Sequence, residues 1–249
     1  MSQQTKISIS IVSHHQAGLV NDLLHDLQAH CSTPLEVILT LNVPEDLPFE
    51  TSNFKFPIHL IKNDRVKGFA ANHHAAFRFA RAAHFCVLNP DVRLEQDPFP
   101  ALDAMLSNPS IGVAAPMILN VSGEVEYSAR KFPTPLRILR KVLLRHPVPD
   151  YAFGDTTVFP DWVGGMFMAF RSDLFQMIGG FDEAYFLYYE DVDICWRLRR
   201  HGYDVALLPM ARVIHLARRA SHYDLRYLGW HVASMLRFFF KRALEYISD

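Results

Sequence analysis

One acidic residue stands where a predicted strand ends, in the sequence Leu88-Asn89-Pro90-Asp91. Residues 85–88 form an apolar run typical of a buried strand, and Pro90 fixes the turn that follows it. The carboxylate of Asp91 is a hard oxygen ligand, which at that position can hold Mg²⁺ or Mn²⁺ against a diphosphate. An ordinary turn, in which the aspartate bonds only nearby backbone, explains the same residues without a metal.

Three carboxylates lie within four residues, in Glu190-Asp191-Val192-Asp193, at the predicted start of a helix. Acids favour the first turn of a helix because they face the positive end of its dipole, which is a purely structural explanation. The chemical alternative is that one of these carboxylates acts as a general base toward a sugar hydroxyl.

Histidines and basic residues offer further chemistry. His215 ends the apolar run 213–215, where an imidazole is either structural or a second ligand to the same metal. Arg65 and Lys67 are either phosphate contacts or part of a solvated surface. The pair His14-His15 lacks the i, i+4 spacing of a helical zinc site, so we interpret His14 as lining a pocket at most.

The elements that position these residues alternate between strand and helix patterns over the first ~90 residues, which predicts βαβ units and a parallel sheet. Such sheets bind ligands beyond the carboxyl ends of their strands. That edge should carry Ser13-His14-His15, Asn42 and Asn89-Pro90-Asp91. The predicted strands are 7–12, 35–41, 58–61 and 85–88, and the predicted helices are about 19–27 and 69–83.

The rest of the chain is less regular between 120 and 160, where five prolines interrupt it. We predict one strand over 162–170, in which Gly164-Gly165 marks a close approach to the backbone. The other predicted helices are 98–107, 136–144, 189–201 and 221–247, and the other predicted strands are 111–115, 205–208 and 212–215.

Composition narrows the function classes. The 249 residues suit one large domain, or a domain with a C-terminal extension, and the formal charge of −1 argues against a nucleic-acid partner. The chain shows no secretory signal, and no apolar run approaches the ~18–20 residues that span a bilayer. We therefore expect a cytoplasmic protein that meets a membrane only at its surface.

The three cysteines have no metal-binding spacing.

Taken in order, these pieces resemble the glycosyltransferases of the GT-A fold, family 2 among them. The landmarks are Ser13-His14 after the first strand, Asn89-Pro90-Asp91, the run 179–183 (Gly-Gly-Phe-Asp-Glu), Glu190-Asp191 and His215. The resemblance implies an α/β, Rossmann-like fold with a mostly parallel central sheet and a C-terminal amphipathic helix. It divides the chain into a catalytic domain over 1–216, with a nucleotide-sugar half to about 115 and an acceptor half from 116, and a basic helical extension over 217–249.

Three runs, 127–133, 161–168 and 185–191, are similar to bacterial rhamnosyltransferases of O-antigen and cell-wall assembly. This similarity implies dTDP-L-rhamnose as donor and a polyprenyl-diphosphate-linked sugar, often N-acetylglucosamine, as acceptor. It also implies a divalent metal, Mg²⁺ or Mn²⁺, held by Asp91 and His215. Asp191 matches the catalytic base, with Glu190 as its rival. The implied donor contacts are Ser13, His14, Asn42, Arg65, Gly68, Asn72, Asn89 and Asp91, and the implied acceptor contacts are Trp162, Gly164 and Gly165.

Two positions depart from the pattern of the family. Leu41 stands where many members carry an acid that helps to hold the nucleotide base of the donor. Asn89 stands where many members carry an aspartate of the metal-binding motif. Base selection and metal affinity are the properties that these departures put in doubt.

Two segments combine cations with large apolar residues, and such surfaces bind anionic leaflets. Because the acceptor is expected to be lipid-linked, we predict contact with the inner face of the plasma membrane. The alternative is that the aromatic residues pack on the core while the arginines face solvent. The predicted membrane contacts are Arg137, Arg140, Lys141, Arg237, Lys241 and Arg242.

Three other functions remain open. A transferase that uses UDP-galactofuranose or UDP-glucose has the same landmarks. A protein that binds nucleotide-sugars without catalysis would explain why the metal-binding motif has a single carboxylate. A nucleotidyltransferase would need a glycine-rich loop with a lysine near the N-terminus, whereas residues 13–18 contain one glycine and no lysine.

Overall fold

The computed structural model describes residues 5–144, 149–216 and 225–248. Ten strands and seven α-helices alternate along these residues. The strands are β1 (Ile7–Ser13), β2 (Leu35–Leu41), β3 (Ile58–Lys62), β4 (His84–Leu88), β5 (Val92–Arg93), β6 (Ile111–Leu119), β7 (Ala129–Arg130), β8 (Trp162–Val163), β9 (Phe167–Arg171) and β10 (Asp204–His215). The helices are α1 (Ala17–His30), α2 (Phe69–Phe77), α3 (Phe99–Leu106), α4 (Pro135–Leu144), α5 (Ser172–Met177), α6 (Glu190–Arg200) and α7 (Leu225–Ser248).

Eight strands form one sheet in the order β3-β2-β1-β4-β9-β6-β10-β5. The pairs β3–β2, β2–β1, β1–β4 and β6–β10 are parallel. Strand β9 is antiparallel to both β4 and β6, so these two run in the same direction. The carboxyl ends of β1, β2, β4 and β10 therefore lie at one edge, as the mostly parallel sheet of the sequence prediction requires.

Helices cover both faces of the sheet, which explains why its central strands are apolar without alternation. One face packs the isoleucines of β1 against the leucines of α1 and α3. The other face packs Phe85, Val87 and Phe170 against α5 and α6. A one-residue slip in the pairing of a central strand would exchange the side chains of its two buried faces, so the register is fixed. The residues that follow these strands are therefore held in fixed positions.

Several predicted boundaries were wrong. Residues 162–170 are two strands, since the chain turns at Gly164-Gly165, and β8 pairs with β7 in a separate two-stranded sheet. The strands predicted over 205–208 and 212–215 are one strand, β10, with a register shift between Leu208 and Arg212. Helix α2 ends at Phe77 because the chain must turn before β4.

The C-terminal helix packs against α6 and the residues before it through a small aromatic cluster. Phe238 of α7 is fully buried against Tyr185, Tyr189 and Val192. Within the part of the chain that the structure describes, no helix is both long and apolar enough to cross a bilayer. The division at residue 216 stays a prediction.

Candidate active site

Asp91 and His215 meet at the carboxyl edge of the sheet. The antiparallel pairing of β5 with β10 sets His215 opposite Val92, and the backbone N–H of Leu216 donates to the carbonyl of Asp91 at 2.8 Å. Nε2 of His215 lies 3.4 Å from Oδ2 of Asp91. Residues that are 124 positions apart in the sequence are thus neighbours because β4 and β10 end at the same edge.

The chemistry of this pair suits a divalent cation. Oδ1 of Asp91 is buried without a hydrogen-bond partner among the described residues, so one hard ligand atom is unused. The carboxylate oxygen suits Mg²⁺ or Mn²⁺, and the imidazole nitrogen beside it favours the transition metal Mn²⁺ of the two. Among residues 5–144, 149–216 and 225–248, no three His, Cys, Asp or Glu side chains converge to hold a metal. Asp91 and His215 are therefore the candidate ligands among the described residues, and water or substrate oxygens would complete the coordination of a bound cation.

Glu126 is a site residue that sequence reasoning missed. Its Oε2 lies 2.8 Å from Nδ1 of His215, on the other nitrogen of the ring. Burial disfavours a charged imidazole, but hydrogen bonds to Asp91 and Glu126 outweigh it and raise the pKa of His215 to about 9. The turn that follows β6 brings Glu126 here. Ser122-Gly123 marks this turn in the sequence, but the sequence does not show that the turn faces the end of β10.

The carboxylate of Asp191 is held by two backbone N–H groups. Oδ2 accepts from Gly165 at 3.0 Å, and Oδ1 accepts from Val192 at 2.8 Å. The residue after Gly165, Met166, reaches the end of β4, since its carbonyl accepts from the N–H of Asn89 at 2.9 Å. The turn over 164–166 therefore links the first turn of α6 to the strand end that carries Asp91.

Glu190 has a different environment from its neighbour. Its side chain is buried, and Oε2 has no hydrogen-bond partner in the part of the chain that is described. Burial, and next the charge of Asp191, raise the pKa of Glu190 well above its usual range. Burial also raises the pKa of Asp191, against the opposing effect of its two backbone hydrogen bonds. Asp191 is thus the better hydrogen-bonded and more accessible carboxylate of the two.

Backbone strain precedes these acids. Tyr188 and Tyr189 have φ values of 68° and 67°, in the left-handed region that tyrosine rarely adopts. The ring of His231 on α7 contacts both tyrosine rings, at centroid distances of 5.3 and 5.4 Å. Packing from α7 therefore helps to hold the turn that aims α6 and its first-turn carboxylates.

A group of asparagines organises the predicted donor loop. Oδ1 of Asn42 accepts from the N–H of Lys67 at 2.9 Å, and its amide donates to the carbonyl of Lys67 at 2.9 Å. Asn72 also donates to that carbonyl, at 3.1 Å, and Asn63 donates to both Asn42 and Asn72. Asn42 and Asn72 thus act on the loop that carries Arg65 and Lys67, and their direct contact with a donor stays a prediction.

The remaining predicted donor residues surround this loop or the end of β1. Ser13 is buried, and its hydroxyl accepts from the N–H of Gln16 at 3.3 Å, whereas His14 and Arg65 are exposed. Gly68 packs so tightly that a Cβ there would lie 2.5 Å from the carbonyl oxygen of Phe186. Asn89 makes the backbone contact to Met166 described above.

The predicted acceptor residues lie beside Asp191. Gly165 contacts its carboxylate directly, and Gly164 donates its N–H to the carbonyl of Ser128 at 2.8 Å. Trp162 is partly buried and donates from Nε1 to the carbonyl of Lys131 at 3.0 Å. The guanidinium of Arg130 lies 5.7 Å from the centre of the Trp162 ring, and its charge also acts on the carboxylate of Asp191.

The cations predicted to bind membrane divide into two groups. In α7, Lys241 donates to the buried Asp193 at 2.7 Å, Arg242 stacks at 3.9 Å on Trp196, and Arg237 lies 3.3 Å from Asp182. Lys241 and Arg242 are thus engaged within the domain, whereas Arg237 pairs with Asp182 and stays exposed. Phe238 packs on the core, as the packing alternative expects for the aromatic residues. In α4, Arg137 pairs with Asp150 at 3.4 Å and Arg140 is exposed. The side chain of Lys141 lies outside the described residues.

Sequence comparison places the chain among known proteins. The family described as glycosyltransferase like family 2 matches residues 59–234, well over half of the chain. The chain is 26% identical over 252 residues to the rhamnosyltransferase WbbL of Escherichia coli (strain K12), covering 96% of this chain and 94% of that protein. It is 34% identical over 140 residues to an N-acetylglucosaminyl-diphospho-decaprenol L-rhamnosyltransferase of Mycobacterium tuberculosis, covering 52% of this chain and 45% of that one.

Solved structures share the fold at low sequence identity. GalNAc-T7, crystallised with UDP, GalNAc and Mn²⁺, superimposes with a TM-score of 0.67 at 14% identity, covering 88% of this chain and 45% of that chain. The mannosyltransferase PcManGT of Pyrobaculum calidifontis, in complex with GDP-Man and Mn²⁺, gives a TM-score of 0.64 at 16% identity, with coverage of 95% and 65%. These neighbours establish the GT-A fold expected from the sequence.

Proposed function

The chain belongs to glycosyltransferase like family 2, and from that premise we propose that it transfers L-rhamnose from dTDP-L-rhamnose to a polyprenyl-diphosphate-linked sugar such as N-acetylglucosamine. Two relatives named as rhamnosyltransferases support this donor, and the decaprenol-linked substrate in the name of one supports this acceptor. One structural observation carries the proposal. The turn over 164–166 joins Asp191, a carboxylate suited to a base, to the strand end beside Asp91 and His215.

The proposed reaction is a direct displacement that inverts the anomeric carbon. Asp191 takes the proton of the acceptor hydroxyl while that oxygen forms a bond to the anomeric carbon. The bond from this carbon to the diphosphate oxygen breaks, and dTDP leaves with the electron pair. A divalent cation held by Asp91 and His215 would supply positive charge to the departing diphosphate. No enzyme nucleophile is needed, because one displacement accounts for inversion.

The surrounding residues have distinct roles in this proposal. Backbone N–H groups of Gly165 and Val192 orient the base and favour its ionised form. The asparagine group around Lys67 presents a basic loop to the phosphates of the donor. Trp162 and Arg130 offer an aromatic face and a cation to the acceptor. The side chain of Glu190 is buried and its Oε2 has no hydrogen-bond partner among the described residues, so Asp191, the more accessible of the two, is the proposed base.

Release of dTDP from dTDP-L-rhamnose tests the proposal, with Mn²⁺ or Mg²⁺ and a lipid-linked N-acetylglucosamine as acceptor. Wild type should release dTDP only when both acceptor and metal are present, and Asp191→Asn should abolish this release. Consumption of UDP-glucose or UDP-galactofuranose, with dTDP-L-rhamnose untouched, would refute the donor. Absence of turnover with every donor would favour a protein that binds nucleotide-sugars without catalysis.

We also propose that the protein works at a membrane surface, through one face of α7 and the neighbouring α4. The face of α7 opposite the buried Phe238 is apolar although it is exposed. Its members are Leu225, Leu228, Val232, Leu236, Phe240 and Leu244. Helix α4 exposes Leu136, Leu139 and Leu143 in the same way. Arg242 of α7 donates to the carbonyl of Pro133 at 3.4 Å, so α7 lies beside the start of α4.

Charge favours an anionic leaflet over a second copy of the chain as the partner of this face. In α4 and α7 the exposed cations are Arg137, Arg140, Arg226 and Arg237, while the one acid of these helices, Glu245, is partly buried and pairs with Arg200. Association of two such faces would bring like charges together, whereas anionic lipids attract each surface cation by about 1 kcal/mol. The exposed apolar face of α7, together with Arg140 of α4, is therefore the proposed membrane contact. Lys241 and Arg242 face inward and are no longer part of it.

Vesicle co-sedimentation tests this surface. Wild type should bind vesicles that contain phosphatidylglycerol and bind pure phosphatidylcholine weakly. Leu236→Glu should lower the bound fraction, and Met210→Glu, at a similarly exposed apolar position outside this face, should not (60% and 67% exposed). Equal binding by all three proteins would refute the assignment, and a concentration-dependent dimer lost in Leu236→Glu would identify self-association instead.

A further inference from the structure

Glu126 contacts the candidate metal ligand His215 on the nitrogen that does not face Asp91. Oε2 of Glu126 lies 2.8 Å from Nδ1, while Nε2 lies 3.4 Å from Oδ2 of Asp91. The imidazole therefore lies between two carboxylates, and each of its two nitrogens faces a different one. A neutral imidazole that donates its Nδ1 proton to a carboxylate presents an unprotonated Nε2, which is the form that binds a metal, and a charged ring reaches this form by releasing its second proton.

The chain holds Glu126 in a fixed place. It follows a hairpin turn closed by the N–H of Gly123 on the carbonyl of Asn120 at 2.9 Å. The N–H of Glu126 donates to Ile118 of β6 at 2.9 Å, and its carbonyl accepts from Ser128 at 2.7 Å. The side chain of Glu126 is only 25% exposed, and that of His215 is 14% exposed. A carboxylate fixed by backbone bonds on both sides of its residue is suited to orient a neighbouring ring.

We propose that Glu126 is a positioning residue, which fixes the tautomer and the ring orientation of His215 so that Nε2 and Asp91 face one divalent cation. The proposal rests on the metal site of the proposed function, and not on the identity of the sugar. Glu126 itself lies on the far nitrogen of the ring and is not assigned as a ligand. Removal of such an outer partner typically weakens metal affinity by about 10–100-fold.

Titration with Mn²⁺ alone, with free Mn²⁺ read by electron paramagnetic resonance, tests the proposal without any sugar donor. Glu126→Ala should bind Mn²⁺ about 10–100-fold more weakly than wild type. Glu126→Gln keeps an oxygen that accepts from Nδ1, so it should recover part of the affinity. Glu124→Gln is the matched control, since Glu124 belongs to the same hairpin and contacts Asn120 rather than His215. That variant should bind Mn²⁺ as wild type does.

The outcomes separate this inference from the assignment of the donor. Wild-type Mn²⁺ affinity in Glu126→Ala would overturn the positioning role, as would a wild type that binds no Mn²⁺. If Glu126→Ala binds Mn²⁺ more weakly than wild type while dTDP-L-rhamnose is not consumed, the positioning role is supported and the proposed donor is refuted. Should Glu126→Ala fail to fold, Glu126→Gln is the variant to test. Mn²⁺ affinity below that of wild type would support the positioning role. Unchanged Mn²⁺ affinity together with an unchanged ¹⁵N spectrum of the histidine would refute it.

Discussion

The backbone N–H of Gly165 donates to Oδ2 of Asp191 at 3.0 Å, and this bond ties the candidate base to the turn beside the predicted metal site. A second N–H, from Val192, binds the other carboxylate oxygen at 2.8 Å. A carboxylate held at both oxygens cannot rotate freely, so its approach to a substrate hydroxyl is restricted. The position of this group, more than its acidity, is what the fold determines.

Replacing Asp191 with Asn should lower kcat by about 10²–10⁴-fold, because the amide keeps the shape of the side chain but cannot accept a proton. The melting temperature should change little, since Asn still accepts one of the two backbone hydrogen bonds. Glu190→Gln is the matched comparison and should retain most activity, because Glu190 is buried and Asp191 remains to take the proton. A larger loss of kcat in Glu190→Gln than in Asp191→Asn would reverse the two roles.

Replacing Gly68 with Ala should impair the donor loop. The added Cβ would lie 2.5 Å from the carbonyl oxygen of Phe186, and backbone must move to relieve this contact. We expect a loss of about 1–3 kcal/mol in the free energy of unfolding, the usual range for overpacking, and a higher KM for the donor. Gly164→Ala is the control: its Cβ would meet the flexible end of Met166 at 2.8 Å, which can turn aside. Equal effects of both substitutions would contradict this account.

Lys241 should stabilise the fold because it neutralises a buried acid. Its ammonium donates to Asp193, whose side chain is 1% exposed, and to Asp182 at 3.1 Å. Arg197 also pairs with Asp193 at 2.7 Å, so Lys241→Met leaves one cation and should cost about 2–3 kcal/mol, below the usual 3–5 for breaking a buried pair. Denaturant unfolding measures this loss. Arg140→Gln, at an exposed position of α4, should change stability by less than about 0.5 kcal/mol.

The sequence predicted the residues that follow long strands better than those that turns bring together. The buried runs over 7–12, 35–41 and 85–88 locate Ser13, Asn42 and Asp91 at one edge, because parallel strands share their direction. Glu126 escaped prediction because, although Ser122-Gly123 marks a turn, the sequence does not show that this turn faces His215. The inward orientation of Lys241 was equally hidden, since basic and apolar residues at helical spacing suit both a membrane face and a buried ion pair.

His73 should make the protein less stable in acid. It is 1% exposed and lies between Phe69 and Phe181, with Nδ1 2.8 Å from the hydroxyl of Ser10. Burial lowers the pKa of His73 from 6.5 to about 3, so the folded protein keeps the ring neutral where the unfolded chain protonates it. Stability from this source is therefore complete above pH 6.5 and falls as the pH decreases toward 3.

The expected slope is about 1.4 kcal/mol per pH unit, which gives a loss of about 2 kcal/mol between pH 6.5 and pH 5. Other groups also titrate in this range, so the comparison is with His73→Asn, whose amide can keep the hydrogen bond to Ser10. Urea unfolding at both pH values should show a smaller acid loss in His73→Asn than in wild type, whatever its stability at neutral pH. Because no charged group is needed to explain the shift, the difference should persist at high salt. Parallel pH profiles for the two proteins would show that His73 takes up its proton in the folded state.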